Sequence, residues 1–377
     1  MVFCGEYEIP WKDLVVVAQS LLDFDEIKKV EDVYHFDIVN ALPVLQIDNA
    51  SSTTKTSGIF DLFRSFECTN QRDKVYALLS FPPLCELQPP IRPDYTKSVA
   101  EVFEEATMRI FQFSQSLGLL SSLEHDVAIE EGWPSWVPRW DRRRTTQVLH
   151  NFASGRAESS IPRIHFKPGV LISEGIRIST VSWCGSVIGG EAGSAETATM
   201  NILIKPLEEW LLEFPPKITD PADPLFLHTA MTLTVGLDLG SNCPPLDKAQ
   251  LRLDFLAYLV DISPSLSLLG TTQHTSQILT EQALAGNSRN YRRAAARGSR
   301  NKRLIRTVDG ELGVGPRTAQ TGDHVVLLYG SNAPSVLRPM GSYYQYIGEC
   351  YLGNHMYGEA IRMAAEGLVA AEEFELR

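Results

Sequence analysis

The sequence lacks the short motifs of the common catalytic folds. It contains no G-x-S-x-G nucleophile elbow, no phosphate-binding G-x-x-x-x-G-K-[ST] loop, no H-E-x-x-H zinc motif and no G-x-G-x-x-G dinucleotide fingerprint. None of the eight histidines lies at metal-ligand spacing from another, and the six cysteines form no C-x-x-C pair. We therefore expect no metal site, no cofactor and no disulfide framework, with the cysteines present as reduced thiols.

Long apolar runs are missing as well. No stretch reaches the ~18 consecutive apolar residues that a membrane-spanning helix needs. The first residues lack the basic start and the apolar run of a secretory signal. These absences predict a cytoplasmic protein that makes no membrane contact.

Positive charge is scarce outside one segment. The 377 residues carry a net charge of −12, yet eight Lys and Arg residues and no acidic residue lie between Arg289 and Arg306. Because a negative protein repels a polyanion on average, we expect no nucleic-acid partner. We interpret residues 289–303 as a solvated, mobile linker, since like charges repel and little apolar surface is present to bury. The alternative is a patch that binds phosphate or acidic groups, with the candidate residues Arg292, Arg293, Arg297 and Arg300.

Changes in hydrophobic period predict a mixed α+β fold with several regions. Helical spacing dominates the first part, where Ser98 and Glu101 form a capping-box pattern at the start of a helix. Alternation of apolar and polar residues begins near Val170 and predicts strands with a bend near Glu174-Gly175. A later helix is expected to begin at an Asp247 cap. A Trp- and Pro-rich segment with Trp133, Trp136 and Trp140 closes the helical part, where we expect the rings to be buried. The predicted regions are a helical region at 1–145, a mixed strand and helix region at 146–288, the basic linker at 289–303, a small antiparallel β-unit at 304–365 and a tail at 366–377.

The β-unit near the C-terminus is predicted from turn and strand signals. Asp309-Gly310 favours a tight hairpin, because both central positions of such a turn need positive φ. The following strands are rich in Val, Leu, Ile and Tyr, and we expect their sheet to curl on itself into a barrel-like unit so that no long edge stays unpaired. Its predicted core residues are Val325, Leu327, Val336 and Ile347.

One polar cluster near the start of a predicted helix allows two interpretations. Arg72 and Lys74 clamp a phosphate or carboxylate in the first interpretation, with Tyr76 donating a hydrogen bond. In the second, Asp73 supports the helix start and Arg72 pairs within the fold. We favour the structural interpretation, because capped helix starts are common. The ligand-binding candidates are Arg72, Asp73, Lys74 and Tyr76.

One candidate nucleophile is Cys350, because Glu349 lies beside it in the sequence and His355 follows five residues later. A reactive thiolate needs a base or a helix N-terminus beside it. Cys350 lies in a predicted strand, so its side chain and that of Glu349 point to opposite faces. We therefore interpret Cys350 as a core residue and assign no catalytic residue to the chain.

Four blocks of sequence, in order, resemble a known family. They are Cys4-Gly5 with Ile9-Pro10-Trp11, Asn70-Gln71-Arg72-Asp73-Lys74-Val75-Tyr76-Ala77-Leu78-Leu79, Pro93-Asp94-Tyr95-Thr96, and the segment from Trp133 to Trp140; the turn and strand signals that end at Gly348-Glu349-Cys350-Tyr351 resemble the C-terminal end of the same family. Together they resemble the region that follows the heterokaryon incompatibility (HET) domain in fungal HET proteins. Gln71 stands where the family commonly has Pro, and the family's A-L-S-Y-x-W-G and L-W-I-D blocks do not occur.

The resemblance implies a role in detecting genetically different partners after hyphal fusion and in triggering cell death. It also implies that the Toll-like N-terminal half, the family's effector, is missing. On this basis we expect a non-catalytic regulatory or recognition module with a protein partner. The alternative is a small-molecule or nucleotide-processing enzyme, or an accessory protein of a fungal pathway, that uses the region from Arg72 to Tyr76.

Overall fold

The computed structural model describes residues 2–4, 7–10, 13, 59–61, 63–64, 66–81, 84–125, 132–146, 149, 152, 154–155, 163–189, 202–213, 223–236, 247–262 and 281–377. Two compact units divide the chain. Unit 1 comprises residues 1–114 and 138–144, and unit 2 comprises residues 115–137 and 145–377. The predicted helices before residue 59 lie outside the described residues.

Unit 1 is built mainly of helix and turn where it is described. Its elements are an antiparallel pair of strands, β1 (Val2–Cys4) and β2 (Tyr7–Ile9), and the helices α1 (Asp73–Tyr76) and α2 (Val99–Ser114). Ser98 and Glu101 form the predicted capping box at the start of α2, because each side chain accepts a hydrogen bond from the other residue's amide. Phe103 of α2 and Phe60 both pack against Trp140, and the ring of Phe60 stacks on it at 4.0 Å.

The Trp- and Pro-rich segment passes from one unit to the other. Trp140 belongs to unit 1, whereas Trp136 belongs to unit 2, where it packs against Phe166 and donates to the carbonyl of Gly169. The indole rings of Trp136 and Trp140 are buried, as expected from their large apolar surface, whereas Trp133 is half-buried.

Helices α3 to α6 of unit 2 share one apolar cluster, packed beside part of the sheet, whereas α7 packs in a separate cluster. Two of them begin at aspartate caps, since Asp223 accepts from the amide of Leu225 and Asp247 accepts from the amides of Ala249 and Gln250. Their bounds are α3 (Ile204–Glu213), α4 (Pro224–Leu233), α5 (Lys248–Ile262), α6 (Ser288–Ser299) and α7 (Glu359–Ala365).

Nine strands form the sheet of unit 2. The predicted hairpin at Asp309-Gly310 joins β5 to β6, and Gly310 has a positive φ of 88°. Asp309 has no positive φ, so the turn is not the one with two positive φ angles that the dipeptide predicts; instead the amide of Gly310 donates to the carbonyl of Thr307 at 3.0 Å. The strands are β3 (Ile164–Lys167), β4 (Val170–Val187), β5 (Lys302–Thr307), β6 (Leu312–Pro316), β7 (His324–Leu328), β8 (Ser335–Pro339), β9 (Tyr344–Glu349), β10 (Tyr351–Leu352) and β11 (Ala371–Leu376).

Five of these strands close into a barrel in the order β4, β11, β9, β8, β7 and back to β4. The predicted core residues Val325, Leu327, Val336 and Ile347 are all buried. Helix α7 covers Leu327 together with Ile176 of β4. The structure thus confirms the α+β class and the barrel-like unit.

The barrel includes chain outside the predicted β-unit. β4 supplies one wall, where register shifts let a single bent strand pair with β7, β11 and β5. The predicted bend near Gly175 is instead continuous strand, with the shifts falling after Arg177, Val181 and Cys184. The tail forms β11, in which the fully buried Phe374 and Leu376 alternate with more exposed residues.

The structure also differs from the linker expected at residues 289–303. Most of this segment is helix α6, and its last residues begin β5. The physical reason is a buried face of Tyr291, Ala294, Ala295 and Gly298, at helical spacings of three and four residues. Small side chains on that face let α6 pack closely on the rest of unit 2, and this packing outweighs the repulsion among its arginines.

Candidate functional sites

Residues 72 to 76 form helix α1 and its entry, and their polar groups bind other parts of unit 1. Asp73 accepts a hydrogen bond from the hydroxyl of Tyr95 at 2.8 Å. The hydroxyl of Tyr76 donates to the carbonyl of Asp94 at 2.9 Å and accepts from the amide of the same residue at 3.0 Å. The two tyrosine rings meet edge to face, with centroids 5.3 Å apart. These contacts fasten the loop before α2 onto α1.

The two cations of this cluster also bind within unit 1. Arg72 donates from Nε to the carbonyl of Lys97 and from Nη1 to the side chain of Asn70 at 3.2 Å. Lys74 is 8% exposed, and burial lowers the pKa of its ammonium group below the ordinary value. This ammonium donates to the backbone carbonyls of Phe63, Arg64 and Phe66. The contacts favour the structural interpretation of the cluster, and its role as an anion clamp stays a prediction.

Glu349, Cys350 and His355 have separate surroundings. Cys350 is 1% exposed in the barrel core, and burial raises the pKa of its thiol far above the ordinary value. The carboxylate of Glu349 accepts from the amide of Leu149 at 2.7 Å, while His355 Nε2 lies 3.4 Å from the carboxylate of Glu311. A thiol held in its protonated form is not a nucleophile. Cys350 is therefore a structural core residue.

Helix α6 carries the basic residues singled out in the sequence. Arg293 and Arg297 are exposed, and with Arg289 they form a row at four-residue spacing, which we call the arginine stripe. Arg292 is half-buried near Tyr258, and Arg300, also half-buried, lies over Gly189 at the end of the helix. The four arginines predicted from the sequence were selected because basic residues are dense there. The four-residue spacing of Arg293 and Arg297 also selects Arg289, which was not among them.

The arginine stripe has an electrostatic cost. Arg289, Arg293 and Arg297 are like charges at successive i, i+4 positions, and each such pair destabilises a helix by ~0.2–0.5 kcal/mol. Within the part of the chain that the structure describes, no carboxylate pairs with any of the three guanidinium groups. The opposite face of α6 supplies the packing, so the stripe does not hold the helix in place.

A small pocket with several charged residues around it lies in unit 2. Its volume is about 20 Å³, which is room for roughly one water molecule and not for a substrate. Lys302 and Glu349 are both buried at its wall, and Glu124, His125 and Arg317 also line it. Sequence analysis missed this pocket, because its residues come from five separate segments of the chain.

Two further features bear on possible sites in the described ranges. Within these ranges, no group of three His, Cys, Asp or Glu side chains is placed to hold a metal ion. Among the same residues, no helix is long and apolar enough to cross a bilayer.

Comparison with known proteins identifies relatives of the barrel. Residues 269–367 match the Het-6 beta-barrel domain. This span contains α6 and the strands β5 to β10, whereas the closed barrel also needs β4 and β11. No solved structure matches the chain significantly.

A longer match is to heterokaryon incompatibility protein 6, OR allele, of Neurospora crassa. The two sequences are 26% identical over an alignment of 337 residues that covers 77% of this chain and 49% of the relative. The chain thus spans about half the length of the curated relative that it matches.

Proposed function

We propose that this chain is a heterokaryon-incompatibility-type protein and that it serves as a non-catalytic recognition or regulatory module; its match to the Het-6 β-barrel domain and its similarity to the Neurospora protein support this. In this proposal it acts in the cytoplasm of a fungal cell, binds a protein partner, and contributes to the detection of a genetically different cell after fusion and to the death response that follows. The name of the Neurospora relative supports the biological setting, and the barrel supports the non-catalytic role.

The observation that carries the proposal is the close apolar packing of the barrel and its neighbouring strands. Val325, Val336, Ile347 and Cys350 pack into one cluster in which each side chain is almost fully buried. A barrel of only five strands has an interior that its own side chains fill, so its contacts are made by its outer surface. The polar side chains of the region from Arg72 to Tyr76 are used in hydrogen bonds within unit 1, which supports a scaffold role there too.

The test compares ligand response with partner response for the purified chain. Melting temperatures are measured with and without nucleotides and dinucleotides, and release of nicotinamide from NAD is followed over time. We expect no ligand-dependent rise in melting temperature and no turnover. NAD cleavage that copurifies with the chain and disappears on substitution of one of its residues would overturn the proposal in favour of an enzyme.

A further inference from the structure

We infer that the arginine stripe of α6 is a docking surface for an acidic helical segment of a partner protein. The inference rests on the proposed function, because it names the surface and the chemistry through which the recognition module engages its partner. Three features of the structure support it: the anchoring of α6, the spacing of the charges and the acidic residues beside the helix.

Helix α6 is held rigidly from its buried face. The hydroxyl of Tyr291 donates to the carbonyl of Ala230 at 3.0 Å, and the hydroxyl of Ser299 donates to the carbonyl of Leu233. Gly298 lies against the backbone of Thr234 so closely that a Cβ atom there would be 2.7 Å from its carbonyl oxygen. The helix is therefore fixed at both ends of its buried face, and it presents its exposed face in a set orientation.

The exposed face offers three guanidinium groups at regular intervals. Residues four apart on a helix rise by about 6 Å, so the stripe is about 12 Å long from Arg289 to Arg297. A second helix with glutamates at the same four-residue spacing places its carboxylates at matching intervals. Guanidinium and carboxylate groups form paired, directional hydrogen bonds, which favours arginine for such a surface.

The surroundings of the stripe favour a narrow acidic partner over a broad polyanionic surface. Asp254 of α5 accepts a hydrogen bond from the amide of Asn287 at the start of α6, and Asp261 accepts from the hydroxyl of Ser288. A membrane or a nucleic acid extends past the stripe and meets these carboxylates. Since the chain as a whole carries −12, such a surface is also repelled at longer range. A single acidic helix contacts the arginines alone.

The experiment measures binding of a fluorescent helical peptide whose glutamates recur every fourth residue. We expect the full chain to bind it, with affinity that falls as salt rises. We expect Arg289→Gln/Arg293→Gln/Arg297→Gln to weaken binding about tenfold, because each exposed pair contributes modestly. The matched control, Arg92→Gln/Lys167→Gln/Lys205→Gln, removes the same charge from exposed sites elsewhere and should bind like the parent.

Two comparisons decide whether the surface is specific. A peptide with the same glutamates placed side by side should bind more weakly than the spaced peptide, and both variants should melt at the parent's temperature. Equal binding by the stripe variant and the parent would overturn the inference. So would tighter binding of phosphatidylserine-rich vesicles or of a short DNA duplex at the same salt concentration.

Failure of the inference is distinguishable from failure of the proposed function. The peptide measurement contains no nucleotide and no turnover step, so absence of peptide binding contradicts only the inference about the docking surface. NAD turnover by the same protein sample would sink the recognition role.

Discussion

Replacing Lys74 by Met tests whether the cluster at α1 holds unit 1 together or binds a ligand. Methionine keeps most of the length of the side chain and removes the ammonium group. The backbone carbonyls of Phe63, Arg64 and Phe66 then lose their donor in a region that water reaches poorly. Lys74→Met should therefore destabilise unit 1.

The expected loss of stability in Lys74→Met follows from two opposing contributions to the free energy of unfolding. Three hydrogen bonds from a charged donor stabilise the fold, each by ~1.5–3 kcal/mol net of water. Burial of the ammonium opposes them, which is why the pKa of Lys74 lies below its ordinary value. We expect a net loss of about 2 kcal/mol in the free energy of unfolding of unit 1, because carbonyls left without a donor carry a penalty of their own.

Hydrogen exchange followed by mass spectrometry measures this loss locally. Peptides from residues 66–81 should exchange roughly thirtyfold faster in Lys74→Met than in the parent. The control is Lys97→Met in the same unit, whose ammonium pairs with Glu105 at a partly exposed site and contributes little. Unchanged exchange in Lys74→Met, together with loss of a partner or of an activity, would refute the structural interpretation and restore the anion clamp.

Three further substitutions test other contacts. Arg72→Ala should lower stability by ~1–2 kcal/mol in urea unfolding, since a charged donor to two acceptors is lost at a partly exposed site; an unchanged midpoint contradicts this. Arg338→Ala should cost about 3 kcal/mol, because it leaves the 2%-exposed carboxylate of Asp323 without its paired guanidinium; Arg338→Lys should recover part of the loss. The third concerns acid stability. Burial by itself raises the pKa of Glu311, but the hydrogen bond and charge of His355 outweigh it and hold the pKa below the ordinary 4.5. This carboxylate therefore stabilises the fold above about pH 4.5, and its contribution disappears as pH falls through the lowered pKa. Melting curves at decreasing pH should show a shallower acid loss in Glu311→Gln, and an identical slope contradicts the assignment.

Features set by neighbouring residues were predicted well from the sequence. The capping box of Ser98 and Glu101 and the cap at Asp247 occur as expected, and so does a hairpin at Asp309-Gly310, although its turn differs from the predicted one. Each depends on backbone geometry within about four residues, where side-chain chemistry decides the outcome. The interpretation of Cys350 as a core residue depended on the same local logic.

Features set by distant contacts were not predictable in the same way. The barrel closes only when β4 pairs with β7 and β11, which lie some 150 and 200 residues further along the chain. Helix α6 was missed for a different reason. Its arginines dominate the composition of the segment, while its buried face consists of Tyr291 and small residues that add little hydrophobicity. The exposed stripe and the buried face are two sides of the same helix, and only the packing of the buried face shows that the segment is a helix and not a mobile linker.

The most direct test of the recognition role is the fate of fused fungal cells. Strains that express the parent chain, Arg289→Gln/Arg293→Gln/Arg297→Gln or the control Arg92→Gln/Lys167→Gln/Lys205→Gln at equal abundance are paired with an incompatible strain, and the dying fraction of fused cells is counted. Recognition through the outer surface of the barrel domain predicts death with the parent and the control, and survival with the stripe variant. Death at the parent's frequency in the stripe variant would contradict it.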